Sequence, residues 1–137
     1  MKTDRPILMV EDDSVDAMTI KRSFRELGIK NPIVHAKNGE EAFQYLRDES
    51  HELPAFILLD LNMPKMNGHE FLQERWGIDR LRTIPVIVLT TSKDEYDRLE
   101  SFKRGIAGYM VKPIDYQQFV NVIKIINQYW EFSEIVH

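Results

Sequence analysis

Short apolar runs alternate with helical stripes along this chain, and the alternation limits the folds that it can adopt. The runs hold about four residues each and are rich in β-branched and aromatic side chains, which is typical of buried strands. Each run is followed by apolar residues at spacings of three and four, the pattern of one helix face. This order, repeated five times with short connections, predicts a parallel sheet with helices on both faces. We therefore expect an α/β fold, a doubly wound, five-stranded (βα)5 domain.

The predicted strands and helices can be assigned to residues. The strands are Ile7-Leu8-Met9-Val10, Ile33-Val34-His35-Ala36, Phe56-Ile57-Leu58-Leu59, Val86-Ile87-Val88-Leu89 and Gly108-Tyr109-Met110-Val111. The helices are marked by five stripes: Ala17, Ile20, Phe24 and Leu27; Ala42, Phe43 and Leu46; Phe71, Leu72, Arg75 and Trp76; Tyr96, Leu99 and Phe102; and Phe119, Val122, Ile123 and Ile126. Gly28, Gly77 and Gly105 are expected to end the first, third and fourth helices.

Length and charge bound the organisation of the chain. From 137 residues we expect one domain over residues 1–137, with a core over about 5–130, a short tail at 131–137 and no output domain. The net charge of −4 and the scattered Lys and Arg residues argue against nucleic acid as a direct partner. No apolar run approaches the roughly 18 residues needed to span a bilayer, so we expect no membrane partner. The absence of cysteine is compatible with a cytoplasmic location, which we expect.

Polar and charged residues follow four of the predicted strands. Glu11 and Asp12 follow the first strand, Asp60 the third, Thr90 the fourth and Lys112 the fifth. Because open α/β sheets place their ligand sites at the carboxyl ends of the strands, we expect these side chains to converge. Two carboxylates at about 4 Å repel by roughly 4 kcal/mol at an effective dielectric of 20. Either a raised pKa or a divalent cation must offset that repulsion.

The residue types favour a metal that prefers hard oxygen ligands. No His or Cys stands beside the three carboxylates, so Mg²⁺ or Mn²⁺ suits them. A magnesium ion held by one or two carboxylates and waters is a usual partner of a phosphoryl group. Lys112 adds a positive charge and Thr90 a hydroxyl. A carboxylate nucleophile, a metal, a cation and a hydroxyl donor are the parts that phosphoryl transfer needs.

An ordered set of motifs resembles the receiver domain of two-component response regulators. The motifs are Val10-Glu11-Asp12-Asp13; Leu59-Asp60-Leu61-Asn62-Met63-Pro64 with Met66-Asn67-Gly68; Pro85-Val86-Ile87-Val88-Leu89-Thr90; and Gly108-Tyr109-Met110-Val111-Lys112-Pro113. Together with their spacing they are highly specific, and they cover about residues 5 to 130. The resemblance implies the flavodoxin-like, CheY-like form of the fold.

The resemblance also implies which residues receive the phosphoryl group and hold the metal. Asp60 would be the phosphoacceptor, which takes a phosphoryl group from the phosphohistidine of a sensor histidine kinase. Glu11 and Asp12 would hold Mg²⁺ together with Asp60, and the main-chain carbonyl of Asn62 would complete the protein ligands. Glu at position 11 replaces the commoner Asp, and its longer arm should preserve metal binding.

Three further roles follow from the same resemblance. Lys112 would pair with the phosphoryl oxygens, and its bond to Pro113 would be cis, as in relatives. Thr90 would swing toward the phosphoryl group, and Tyr109 would turn inward behind it as a switch. Thr91 stands where relatives usually have a smaller residue, and it could narrow access to Asp60. The change would be read out on the surface formed by the fourth predicted helix, the fifth strand and the fifth predicted helix.

A narrower similarity concerns the regulators that work with bacterial phytochromes. The segments that carry it are Thr90-Thr91-Ser92, Arg82-Thr83-Ile84-Pro85 and the tail around Tyr129-Trp130-Glu131. It implies a phytochrome-type kinase as the partner.

Downstream, the resemblance implies either docking on a protein target or transfer to a histidine phosphotransfer protein. Our hypothesis for mechanism is a phosphorylation-linked homodimer through the fourth helix, fifth strand and fifth helix. Self-catalysed phosphotransfer and slow hydrolysis are expected, without enzyme activity in the metabolic sense.

Structural explanations also exist for single residues. Asp13 is best explained as a helix cap, and Lys112 and Thr90, taken singly, as a loop lysine and a hydroxyl that bonds the backbone. Tyr109 could be plain core packing. Trp130 and Phe132 follow the predicted last helix and must either fold back on the domain or bury against a partner.

Three other classes of protein share part of this pattern. A flavodoxin-type cofactor binder needs a first loop that cradles phosphate, and an acidic loop would repel it. A haloacid-dehalogenase-type phosphatase needs a second acid two residues after the nucleophile, where this chain has Asn62. A phosphate-independent pseudo-receiver would be expected to lack Asp60 or Lys112, and both are present.

Overall fold

The structure, a computed structural model, describes residues 4–132. Within that range it contains the strands β1 (Ile7–Val10), β2 (Ile33–Ala36), β3 (Phe56–Leu59), β4 (Val86–Thr90) and β5 (Gly108–Val111). The helices are α1 (Ser14–Glu26), α2 (Gly39–Arg47), α3 (Gly68–Trp76), α4 (Asp79–Arg82), α5 (Glu95–Lys103) and α6 (Tyr116–Phe132). No helix in this part of the chain has the length and apolar character needed to cross a membrane.

The strands form one parallel sheet in the order β2-β1-β3-β4-β5. Side chains alternate between the two faces of a strand, and β1 therefore contributes Ile7 and Met9 to one apolar cluster and Leu8 and Val10 to another. Helices α1 and α6 cover the first cluster, and α2, α3 and α4 cover the second. The predicted doubly wound, five-stranded parallel sheet is confirmed.

The short helix α4 was absent from the predicted alternation. It spans four residues, of which Leu81 is buried in the core. A four-residue helix is barely one turn and gives no apolar stripe in the sequence. The helices predicted as fourth and fifth are consequently α5 and α6.

The apolar stripe of α5 faces outward. Tyr96, Leu99 and Phe102 mark the helix as predicted, but 65%, 53% and 49% of their surfaces are exposed. Ser101 is the buried residue of this helix, and its hydroxyl donates to the carbonyl of Asp97. These apolar side chains of α5 are exposed to solvent beside β5, which is an edge strand of the sheet. They belong to the surface formed by α5, β5 and α6.

The last helix continues past the predicted end of the core. Helix α6 reaches Phe132, so Trp130 and Phe132 lie within it rather than beyond it. Trp130 is buried and stacks on Phe56 with ring centroids 4.7 Å apart, which matches the alternative that it folds back on the domain. Phe132 is 84% exposed. The rest of the predicted tail, residues 133–137, lies outside the described residues.

Candidate functional site

Main-chain hydrogen bonds fix the strand ends that carry the site. The N–H of Asp60 donates to the carbonyl of Val10 at 3.0 Å, which joins the ends of β3 and β1. The N–H of Lys112 donates to the carbonyl of Thr90 at 2.7 Å, which joins the ends of β5 and β4. β1 and β3 thus end level with each other, as do β4 and β5, and the polar side chains that follow them emerge at one edge of the sheet.

Three carboxylates meet at this edge. One oxygen each of Glu11, Asp12 and Asp60 lies within 4.8 Å of the other two. Glu11 and Asp60 are buried and Asp12 is exposed, so the group opens to solvent on one side. The predicted convergence of these side chains is therefore seen in the structure.

Lys112 lies among these acids. Its Nζ is 2.6 Å from Glu11 Oε1 and 3.3 Å from Asp60 Oδ2, and all three side chains are more than nine-tenths buried. Burial alone would lower the pKa of Lys112, but hydrogen bonds to Asp16 and Glu11 and the negative charge around it raise the pKa above its ordinary value. The ammonium group is therefore a fixed positive charge beside Asp60.

Two contacts of the site were missed at the sequence level. Asp16 Oδ2 accepts a hydrogen bond from Lys112 Nζ at 2.8 Å. The sequence feature that could have identified Asp16 is its place in the first turn of α1, three residues after Asp13. The ring Nε2 of His35, in β2, lies 2.7 Å from the main-chain carbonyl oxygen of Glu11. A contact to a main-chain atom leaves no pattern in the sequence.

The environment of Glu11 fits a divalent cation. Burial, with the charge of Asp60 adding to it, raises the pKa of the Glu11 carboxyl to about 8, although Lys112 opposes the shift. A divalent cation would oppose both causes, because nearby positive charge favours the ionised carboxylate. Three carboxylates with hard oxygen donors, one of them solvent-facing, suit Mg²⁺ or Mn²⁺. The donor set of this structure therefore fits the metal that the sequence predicts.

Thr90 and Asn62 flank the phosphoacceptor candidate. Thr90 is buried at the end of β4, and its Oγ1 accepts from the N–H of Ser92 at 3.3 Å. The N–H of Asn62 donates to Asp60 Oδ1 at 3.3 Å, which helps to hold the carboxylate in place. The predicted part of the Asn62 carbonyl in metal binding stays a prediction.

Tyr109 lies in β5, half-buried, and packs against the core cluster beneath α2 and α3. Its hydroxyl donates to the main-chain carbonyl of Ser92 at 3.0 Å. Burial is the main cause that raises the pKa of its hydroxyl. The side chain thus touches the loop that follows Thr90, and its role as a switch stays a prediction.

Two other expectations concern the loops around the site. The peptide bond between Lys112 and Pro113, both within the described residues, is trans, so the predicted cis bond is wrong. The trans form is the more stable one by about 0.5–1 kcal/mol for bonds to proline. Asp13 is the N-cap of α1, as expected, because its side chain accepts from the N–H groups of Val15 and Asp16.

Comparison with known proteins gives concordant matches. The family described as response regulator receiver domain matches residues 7–124. The chain is 38% identical over 127 residues to the probable methanogenesis regulatory protein FilR2 of Methanothrix harundinacea, which covers 90% of this chain and 82% of the relative. It is 31% identical over 128 residues to the response regulator Rcp1 of Synechocystis, which covers 90% and 87% of the two chains.

Solved structures agree with these sequence matches. The phosphorylated cyanobacterial phytochrome response regulator RcpA superposes with a TM-score of 0.91 at 32% identity. The manganese-bound form of Rcp1 superposes with a TM-score of 0.89 at 30% identity. Each superposition covers 97% of this chain and 99% of the other. The similarity therefore extends over nearly all of the chain, including the strand ends that form the site.

Proposed function

The chain belongs to the family of response regulator receiver domains, and from that premise we propose that Asp60 accepts a phosphoryl group from the phosphohistidine of a sensor histidine kinase in a Mg²⁺-dependent reaction. The observation that carries the proposal is the position of the Lys112 ammonium group, 3.3 Å from Asp60 and 2.6 Å from Glu11. A buried cation beside a buried carboxylate can offset the charge that a phosphoryl group brings.

The transfer exchanges one bond to phosphorus for another. An oxygen of the Asp60 carboxylate forms the new P–O bond, the P–N bond to the kinase histidine breaks, and its electron pair returns to the imidazole nitrogen. Lys112 pairs with the phosphoryl oxygens, and the Thr90 hydroxyl donates to them. Tyr109, whose hydroxyl contacts the loop after β4, then acts as the switch that responds to phosphorylation. Slow hydrolysis of the acyl phosphate resets the protein, which acts as a signalling protein and not as a metabolic enzyme.

The metal would be held by Glu11, Asp12 and Asp60, with the main-chain carbonyl of Asn62. When bound, Mg²⁺ or Mn²⁺ supplies positive charge that neutralises the phosphoryl oxygens during transfer. The support in this chain is the carboxylate group within 4.8 Å and the raised pKa of Glu11. The first shows negative charge crowded at this edge, and the second, caused mainly by burial and also by the charge of Asp60, would be opposed by a bound cation.

We expect Mg²⁺ to stabilise the folded chain. A ligand at 100 times its Kd that binds the native state alone adds about 2.7 kcal/mol to the free energy of unfolding. Urea unfolding in saturating Mg²⁺ and in EDTA measures this difference. Asp12→Asn should lose most of it, because it removes one of the three carboxylates.

The neighbouring variant Asp13→Asn is the matched control for Mg²⁺ binding. Asp13 caps α1 and is not one of the three clustered carboxylates, and Asn is an equally good cap. It should keep the full response to Mg²⁺. Unfolding curves of the natural chain that coincide with and without Mg²⁺ would contradict the metal site.

The similarity to Rcp1 and RcpA supports a phytochrome-type histidine kinase as the phosphodonor. It also supports a cytoplasmic location, since the kinase domain and its receiver must meet. RcpA is a phytochrome response regulator, and we propose the same class of partner, a phytochrome, for this chain. The signal then passes by protein contact, either to a downstream target or onward to a histidine phosphotransfer protein.

The surface of α5, β5 and α6 is our candidate for a phosphorylation-linked homodimer. Tyr96, Leu99 and Phe102 of α5 and Ile125 and Tyr129 of α6 are about half exposed or more. The strand β5 lies between the two helices in chain order and is an edge strand of the sheet. Apolar side chains grouped in this way on a soluble domain are typical of an interface.

Sedimentation tests the homodimer. We expect the chain to sediment as a dimer with a beryllium fluoride phosphoryl mimic and Mg²⁺, and Leu99→Glu to remain monomeric because it buries a charge in the interface. Met18→Glu is the control, since Met18 is also an exposed apolar residue and lies on α1, outside this surface. Identical sedimentation with and without the mimic would count against the dimer.

A further inference from the structure

Each polar group of Ser92 is held by a different residue. Its N–H donates to Thr90 Oγ1 at 3.3 Å, and its carbonyl accepts from the Tyr109 hydroxyl at 3.0 Å. Its own hydroxyl donates to Asp97 Oδ2 at 2.6 Å and accepts from the N–H of Asp94 at 3.2 Å. Ser92, which lies two residues after Thr90, therefore has little freedom to move while these bonds hold.

Asp97 extends this network from α5 to α3. Its second oxygen, Oδ1, lies 2.8 Å from Nε2 of His69, which stands in the first turn of α3. Both side chains are about three-quarters buried. The hydrogen bond from the Ser92 hydroxyl is the main cause that holds the pKa of the Asp97 carboxyl below its ordinary value, and the hydrogen bond from His69 adds to it. Asp97 is thus an acceptor with both oxygens occupied by donors from two other segments.

The tautomer of His69 follows from its surroundings. Its Nδ1 is buried and, among the described residues, has no hydrogen-bond partner. The Asp97 carboxylate is an acceptor, so Nε2 carries the hydrogen in this contact and donates it to Asp97. The edge of the Tyr96 ring lies beside it, with centroids 6.2 Å apart. The histidine is therefore a donor fixed in direction by packing.

We propose that Asp97 and His69 are positioning residues that act through Ser92 to aim the Thr90 hydroxyl at the phosphoryl group on Asp60. The proposal rests on the proposed function of Asp60 and deepens it. Because Thr90 Oγ1 accepts from Ser92, its proton is left to donate to another acceptor. The Ser92 N–H selects the Thr90 rotamer, Asp97 fixes Ser92, and His69 fixes Asp97.

Four substitutions separate the links of this chain of contacts. Asp97→Ala removes both bonds of the Asp97 carboxylate. Ser92→Ala retains the main-chain N–H and carbonyl that face Thr90 and Tyr109, but it removes the hydroxyl bond to Asp97 that holds them in place. His69→Ala removes the outer donor, whereas His69→Gln offers an amide N–H in its place. Labelling with a saturating small phosphodonor and Mg²⁺ gives the rate of Asp60 phosphorylation. We expect Asp97→Ala and Ser92→Ala to lower that rate about tenfold, less than the loss of a direct donor costs, and His69→Gln to restore most of what His69→Ala loses.

Two further readouts separate positioning from general damage. The Mg²⁺ affinity should stay within about twofold of the natural chain, because none of the three residues contacts the clustered carboxylates. NMR coupling constants should show one Thr90 χ1 rotamer in the natural chain and an average in Asp97→Ala and Ser92→Ala, since three staggered wells are accessible to a free side chain. His51→Ala is the matched control. It removes a histidine 3.8 Å from Asp48, in an exposed pair outside this network.

The outcomes are distinct. Natural phosphorylation rates and a single Thr90 rotamer in folded Asp97→Ala and Ser92→Ala overturn the proposal, as does an equal loss of rate and of Mg²⁺ affinity. If Asp97→Ala does not fold, Ser92→Ala decides. A natural chain that takes up no label contradicts the proposed function of Asp60, and the Thr90 rotamer then still decides whether Asp97 positions it.

Discussion

Asp60→Asn should take up no acid-labile phosphoryl group from a small phosphodonor, under conditions in which the natural chain is labelled. The amide oxygen is a poor nucleophile, and loss of the nucleophile costs roughly a thousandfold or more in rate. The variant should remain folded, because Asp60 sits after β3 and the substitution keeps its shape while it relieves repulsion from Glu11. Labelling at equal protein concentration, with circular dichroism on the same samples, measures both.

The control for Asp60→Asn is a neighbouring acid that has a structural role. Asp13→Asn changes the same functional group and keeps the cap of α1, so its labelling should equal that of the natural chain. Equal labelling of Asp60→Asn and the natural chain would place the acceptor on another residue. The assignment of Asp60 would then be lost, although the fold would stand.

Lys112→Met should produce the second large effect, on both stability and transfer. The substitution leaves Glu11, Asp16 and Asp60 without the ammonium group that they share. Removing one partner of a buried ion pair costs about 3–5 kcal/mol of unfolding free energy. Loss of the charge beside the phosphoryl oxygens should slow labelling by about a hundredfold or more. Urea unfolding in EDTA and labelling in saturating Mg²⁺ measure the two effects separately.

Lys93→Met is the matched control for Lys112→Met. Lys93 is exposed and lines the same surface cleft as Lys112, without an ion pair to the clustered carboxylates. It should change neither the labelling rate nor the unfolding free energy appreciably, since exposed charges contribute little. A Lys112→Met protein that is labelled at the natural rate would refute the role of the ammonium group.

The sheet could be predicted because its strands are solid apolar runs. Four of the five strands have the predicted bounds, and β4 extends one residue further to include Thr90. A strand that is buried on both faces must be apolar throughout, and the first charged residue marks where the apolar run ends. The same rule located the site, since Glu11, Asp60 and Lys112 each follow a strand directly.

The direction of an apolar stripe was less predictable. Tyr96, Leu99 and Phe102 have helical spacing, yet they lie on the exposed side of α5. Periodicity shows that a helix has an apolar face. The same pattern results whether that face packs against the core or against another protein. Only the position of α5 relative to the sheet separates the two, and that position depends on the whole fold.

Long-range side-chain contacts away from the strand ends could not be predicted. Asp16 and Lys112 are 96 positions apart, and His69 and Asp97 are 28 positions apart. Each of these residues has an ordinary local explanation: Asp16 and His69 stand in the first turn of a helix and Asp97 lies in the first turn of α5. Their pairing follows from the register of the sheet and the packing of the helices, which single residues do not encode.

Reduction of the acyl phosphate tests the central claim most directly, because it reports the residue that carries the phosphoryl group. The chain is incubated with a small phosphodonor in Mg²⁺ or in EDTA, treated with borohydride, which converts an aspartyl phosphate to homoserine, and sequenced by mass spectrometry. We expect homoserine in place of Asp60 in the Mg²⁺ sample and unchanged aspartate in the EDTA sample. Unchanged Asp60 in both samples, with homoserine elsewhere or nowhere, would contradict the account.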